Sequence, residues 1–147
     1  MRIQYMSDLH LEFQDNCRLV RDYDFPVTGE ILVLAGDTMY LKDRTTAQMR
    51  FWKWASANYQ EVLLVPGNHE YYGDSDVMDR GLQWNWMFME NVGYYQNQVK
   101  RIGDTDLILS TLWSHIPPED EFFVQRGLND FYQTRYDGHR LTVEKYN

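Results

Sequence analysis

The sequence predicts an α/β fold whose main strands lie parallel. Two short, apolar, partly β-branched runs, Ile31 to Ala35 and Val62 to Val65, read as strands buried on both faces. The stretch between them carries apolar side chains at helical spacing, as the crossover between parallel strands usually does. Each run stops at glycine or proline and is followed by polar side chains.

Taken in order, the alternation at Ile3 and Tyr5 marks a first strand, ended by Ser7-Asp8-Leu9-His10. Leu11 to Val27 has no helical or strand period, and Pro26 with Thr28-Gly29 closes it as a loop. The second strand, Ile31 to Ala35, ends at Gly36-Asp37. Thr45 or Thr46 caps a helix running to about Asn58, with Met49, Trp52 and Phe51 or Ala55 on its apolar face. The third strand, Val62 to Val65, is ended by Pro66-Gly67, and Asn68-His69-Glu70 follow. Ser75 or Asp76 caps a second helix through about Glu90, which Gly81 weakens. Gln98 to Ile102, Gly103-Asp104 and Thr105 to Leu112 read as a hairpin, with Trp113-Ser114-His115 at its far end. An irregular acidic segment opens at Pro117 and holds one or two helical turns from Glu119 to Arg126. A last helix starts at Thr142 and runs for a single turn, too short to hold itself together or to form an apolar face.

The chain of 147 residues is the length of one domain. Hydrophobic residues make up 44% and aromatic residues 16%, which excludes a disordered chain. The net charge of -8 disfavours extended nucleic-acid binding and anionic membranes. No apolar run is long enough to span a bilayer, and the first residues are too short and polar for a signal peptide. The single cysteine, Cys17, fits a reducing compartment, so the sequence predicts a cytoplasmic protein.

Chemistry gathers at the strand ends. Carboxyl ends of neighbouring parallel strands lie side by side, roughly 4.8 Å apart, so residues distant in sequence meet at one edge. Asp8 and His10 are one residue apart, which in an extended segment turns both side chains the same way, and they suit one ion. Asp37 has two oxygens with which to bridge two ions, and the Asn68 carbonyl oxygen suits the second. Oxygen and nitrogen ligands without thiolate point to Mn, Fe, Zn or Mg.

Asp8-x-His10, Gly36-Asp37 and Gly67-Asn68-His69-Glu70 together resemble the signature of the calcineurin-like metallophosphoesterases. Leu9 to Phe13, Tyr71-Tyr72-Gly73, Thr111-Leu112-Trp113 and Leu128 to Phe131 look like a bacterial phosphohydrolase branch of that family. The resemblance implies an α/β sandwich with mixed sheets flanked by helices, and residues 1–147 as one domain of this kind. It implies two divalent metal ions, with Asp8 and His10 on the first, Asp37 bridging, and Asn68 on the second. His69 would assist the leaving group and Glu70 would fix the loop or orient His69. The expected activity is hydrolysis of a small phosphomonoester or phosphodiester.

The family's later His and its final Gly-His-x-His have no counterpart after Asn68. Gly138-His139-Arg140 lacks the second His and reads as a loop, and His115 as a pocket-lining or surface residue. The expectation is therefore an N-terminal portion of a longer member, its domain incomplete at the C-terminus and its metal weakly held. The alternative is a truncated, catalytically impaired chain acting as an interaction module. An uncovered sheet surface would then favour a homo-oligomer.

Overall fold

A computed structural model describes residues 1–22, 25–42, 49–73 and 75–147. The chain begins with β1 (Ile3–Met6), α1 (Gln14–Asp22), β2 (Ile31–Ala35), α2 (Met49–Asn58), β3 (Glu61–Val65), β4 (Trp84–Met89) and β5 (Val92–Gln96). These strands form a five-stranded mixed sheet in the order β1-β2-β3-β5-β4. All neighbours run parallel except β4, which pairs antiparallel with β5. The expected α/β fold, a mixed sheet flanked by helices, is what the chain forms.

The sheet buries both faces, but against different partners. Leu32, Leu34, Val62, Leu64 and Tyr94 point to one side and pack with Leu11, Cys17, Phe51, Trp52 and Ala55 in the main core. Ile31, Leu63 and Tyr95 point to the other, where Leu109 joins them. That second face is covered by the hairpin β6 (Gln98–Ile102) and β7 (Thr105–Leu109), which turns at Gly103-Asp104 as expected. Its second strand ends at Leu109, short of the expected Leu112. The remaining elements are α3 (Glu121–Gly127), α4 (Asp130–Gln133), β8 (Arg135–Tyr136), β9 (His139–Arg140) and α5 (Val143–Tyr146). Ile116, Phe131, Leu141 and Val143 form a small core of their own there.

Several sequence expectations need correction. The stretch after Leu11 is not all loop, because α1 occupies Gln14–Asp22. Its polar sequence hides the period, and Cys17 and Val20 pack against the main core. Thr45 and Thr46 lie outside the described residues; in α2, Phe51, Trp52 and Ala55 are buried, whereas Met49 is exposed. The helix expected after a cap at Ser75 or Asp76 and through about Glu90 is a 3-10 turn, Val77–Arg80, followed by β4. Asp76 does cap it, but Gly81 at φ 73° ends it, and Trp84, Trp86 and Phe88 then alternate toward the main core at strand period. β5 went unread because Gly93 interrupts its apolar run. A β-carbon there would sit 2.3 Å from Met87 Sδ and 2.9 Å from Trp86 O, so close pairing with β4 needs glycine. The Gly138-His139 segment is not a plain loop but belongs to the β8–β9 hairpin, whose turn places Asp137 at φ 51° and Gly138 at φ 76°. The helix starting at Thr142 forms, and it finds an apolar partner surface after all: Val143 is buried, and the Asn147 side chain pairs with both Ile116 N and Ile116 O.

Candidate metal centre

Because β1, β2 and β3 are neighbours, the residues that follow them meet at one edge. The loop after β1 is zipped to the loop after β2 by Asp8 N–H to Gly36 O at 3.1 Å, His10 N–H to Asp37 O at 2.9 Å and Leu11 N–H to Thr38 O at 2.8 Å. Asp8, His10 and Asp37 take left-handed backbone conformations, with φ of 57°, 46° and 52°. Such conformations cost an L-residue on the order of 1–2 kcal/mol each. Strain of this kind concentrates at functional sites. It also corrects the reason for pairing Asp8 with His10: the segment is not extended, and left-handed turns bring the two side chains together.

Ligand-capable atoms of Asp8, His10 and Asp37 all lie within 4.8 Å of one another. Asp37 Oδ1 accepts from His69 N–H at 3.0 Å, which ties the loop after β3 to the same group. Gly67 makes this approach possible, since a β-carbon there would stand 2.1 Å from Asp37 Oδ1. Asn68 donates through Nδ2 to Asp130 Oδ1 at 2.8 Å and to the Tyr72 hydroxyl at 3.0 Å, which leaves its carbonyl oxygen for another partner. Asp8, Asp37, Asn68, Trp113 and Asp130 line one cleft of about 560 Å³. Three donors of hard and borderline type fit one divalent cation. Asp37 and Asn68 offer fewer donors for a second. His115 and His139 are both exposed.

Glu70 is fully buried and serves the loops directly. Its Oε2 accepts from Gly67 N–H at 2.8 Å and Asp37 N–H at 3.0 Å; its Oε1 accepts from Thr38 N–H at 2.8 Å and the Tyr94 hydroxyl at 3.1 Å. Burial pushes the Glu70 carboxyl up to about 7, opposed by the N–H groups of Thr38 and Gly67 and assisted by the nearby Asp37 charge. These contacts tie Glu70 to the backbone of the loops after β2 and β3. It makes no hydrogen bond to the His69 ring.

Two residues that the sequence reading did not assign complete the cluster. Glu12 Oε1 accepts from His10 Nδ1 at 3.0 Å and from His69 Nδ1 at 2.9 Å, and the two rings stand 4.3 Å apart. Asp130, on α4, is buried and accepts from both Asn68 and the Tyr72 hydroxyl. Burial, then the neighbouring Asp130 carboxylate, hold the Tyr72 phenol above its usual range. The signal for Glu12 was present as the every-second-residue series Asp8, His10, Glu12. Asp130 lay within the Leu128 to Phe131 segment that carried the resemblance, but nothing there tied it to the site, because its partners lie 58 and 62 residues away.

Fold and site together define an α/β protein with a carboxylate and imidazole cluster at the carboxyl ends of its parallel strands. The chain belongs to the calcineurin-like phosphoesterase family, whose sequence model matches residues 1–144. It is also 32% identical over 157 aligned residues to the uncharacterized protein L509 of Acanthamoeba polyphaga mimivirus, an alignment covering 97% of this chain and 55% of that protein. The chain thus spans about half the length of the curated relative it matches. No solved structure matches it significantly.

Proposed function

We propose that the chain carries a metal-dependent phosphoesterase site that hydrolyses phosphomonoesters or phosphodiesters with two divalent cations. The observation that supports this most is the convergence of Asp8, His10 and Asp37 within 4.8 Å on strained backbone at adjacent strand ends. Asp8 and His10 would hold the first cation, Asp37 would bridge, and Asn68 would contribute its carbonyl oxygen to the second. Such cations polarise the phosphoryl oxygens and activate the attacking water. The protein's own work is placement and proton delivery. Asn68 is fixed by Asp130 and Tyr72, Asp37 by His69 N–H, and His69 Nε2 is the atom from which a proton reaches the departing oxygen. The net charge of -8 disfavours a polyanionic partner, so we take a small phosphoester as substrate. We assign the protein to the cytoplasm, in keeping with a single buried thiol, Cys17, whose Sγ donates to Leu11 O. Among the described residues, no helix is long and apolar enough to cross a membrane.

Mn²⁺ titration with nitrophenyl phosphate and bis-nitrophenyl phosphate as substrates tests this reading. Turnover should require the metal, and Asp37→Asn should lower both metal affinity and turnover by more than about 100-fold, beyond what residues outside the ligand set achieve. Absence of bound metal together with absence of turnover would overturn it.

A further inference from the structure

Glu12 stands out among the residues to which the proposed reaction gives no role. Its side chain is 3% exposed, yet it is a carboxylate, and its Oε2 has no hydrogen-bond partner among the described residues. An unpaired buried acceptor carries a desolvation penalty that an apolar residue of similar volume would not. Its other oxygen is doubly used, taking Nδ1 of His10 at 3.0 Å and Nδ1 of His69 at 2.9 Å. A carboxylate can only accept, so both Nδ1 atoms must carry the proton.

We propose that Glu12 is a positioning residue that fixes His10 and His69 in one orientation and one tautomer from a single oxygen. The proposal rests on the phosphoesterase reading above. For His10 the consequence is that Nε2 keeps its lone pair for a cation, the arrangement in which a carboxylate steers a metal-bound imidazole. For His69, any proton gained or released moves at Nε2, because Nδ1 stays committed to Glu12. Tyr72 completes the clamp, stacking on the His69 ring with centroids 4.5 Å apart and planes at 28°. One carboxylate thereby links a proposed metal ligand to the proposed proton donor.

Imidazole ¹⁵N spectra of the metal-free chain, recorded above the histidine titration range, report the tautomers directly. The chain has four histidines, and single His→Gln variants assign His10 and His69. Both should show protonated Nδ1 and bare Nε2 in the wild type. Glu12→Ala should return both toward the mixture of free imidazole, while Glu12→Gln, which keeps the acceptor oxygen, should preserve the wild-type pattern. Calorimetric Mn²⁺ affinity should fall about 10- to 100-fold in Glu12→Ala. Wild-type rings protonated at Nε2, or tautomers unchanged by Glu12→Ala, would overturn the inference even if the wild type binds metal. Failure of the wild type to bind metal, with the tautomers responding as stated, would instead defeat the metal reading and leave the orienting contact standing.

Discussion

At Glu70 a single buried side chain gathers the loops that follow β2 and β3, accepting from four backbone N–H groups and one hydroxyl at 2.8 to 3.4 Å. Glu70→Gln would turn an amide donor toward those N–H groups and leave at least one of them unpaired. The expected loss is about 2–4 kcal/mol, read as a lower midpoint in urea unfolding with an unchanged slope. Little of this was legible beforehand. The motif Gly67-Asn68-His69-Glu70 was visible as a string, but the Glu70 side chain binds backbone at Asp37 and Thr38, and backbone partners leave no signature in side-chain identity. Asp8, His10 and Asp37 were readable because strand-end carboxylates and imidazoles announce themselves by type. Glu12 is marked in the sequence only by its place after Asp8 and His10, because one of its partners, His69, comes from another strand end.

Among the elements, β2 and β3 were plain, since strands buried on both faces must be apolar throughout. β4 was not, because Trp84 to Met89 is apolar enough to satisfy either period and only Gly81 marked the break. The turn Val77–Arg80 and the β8–β9 hairpin are joined by one carboxylate. Asp76 caps Met78 N–H at 2.8 Å, and also accepts from Asp137 N–H at 2.9 Å and Gly138 N–H at 2.6 Å. Partial burial works against its charge, but the N–H groups of Gly138, Met78 and Asp137 and the Lys42 ammonium hold its pKa below the ordinary 3.8. A carboxylate whose folded pKa is depressed binds fewer protons than in the unfolded chain. Its contribution is therefore complete above pH 3.8 and disappears as pH falls through the lower folded value. Amide exchange at Gly138 should accelerate selectively over that acid range, and Asp76→Asn should remove the acid dependence while lowering protection at neutral pH.

For the molecule as a whole, the two sheet faces are unequally covered. One carries α1 and α2; among the described residues the other carries the β6–β7 hairpin, and Tyr5 is 80% exposed, Ile108 81% and Leu112 92%. Tyr5 lies opposite Val33 in the register, so β1 extends this apolar face to the sheet's edge. Patches of this kind associate. Light scattering should give a mass above the 17.7 kDa of one chain, and the pair Ile108→Lys with Leu112→Glu should restore the monomer; a wild-type monomer would rule this out. The residues lining that face were not legible in the sequence, because exposure depends on how far the hairpin reaches. The left-handed backbone at Asp8, His10 and Asp37 has a consequence for how the sequence can drift. Glycine would adopt those angles without strain, so Asp8, which is exposed, is a position where folding alone favours its loss. A chain shaped only to stay folded would lose nothing by glycine there, so stability alone does not account for the aspartate.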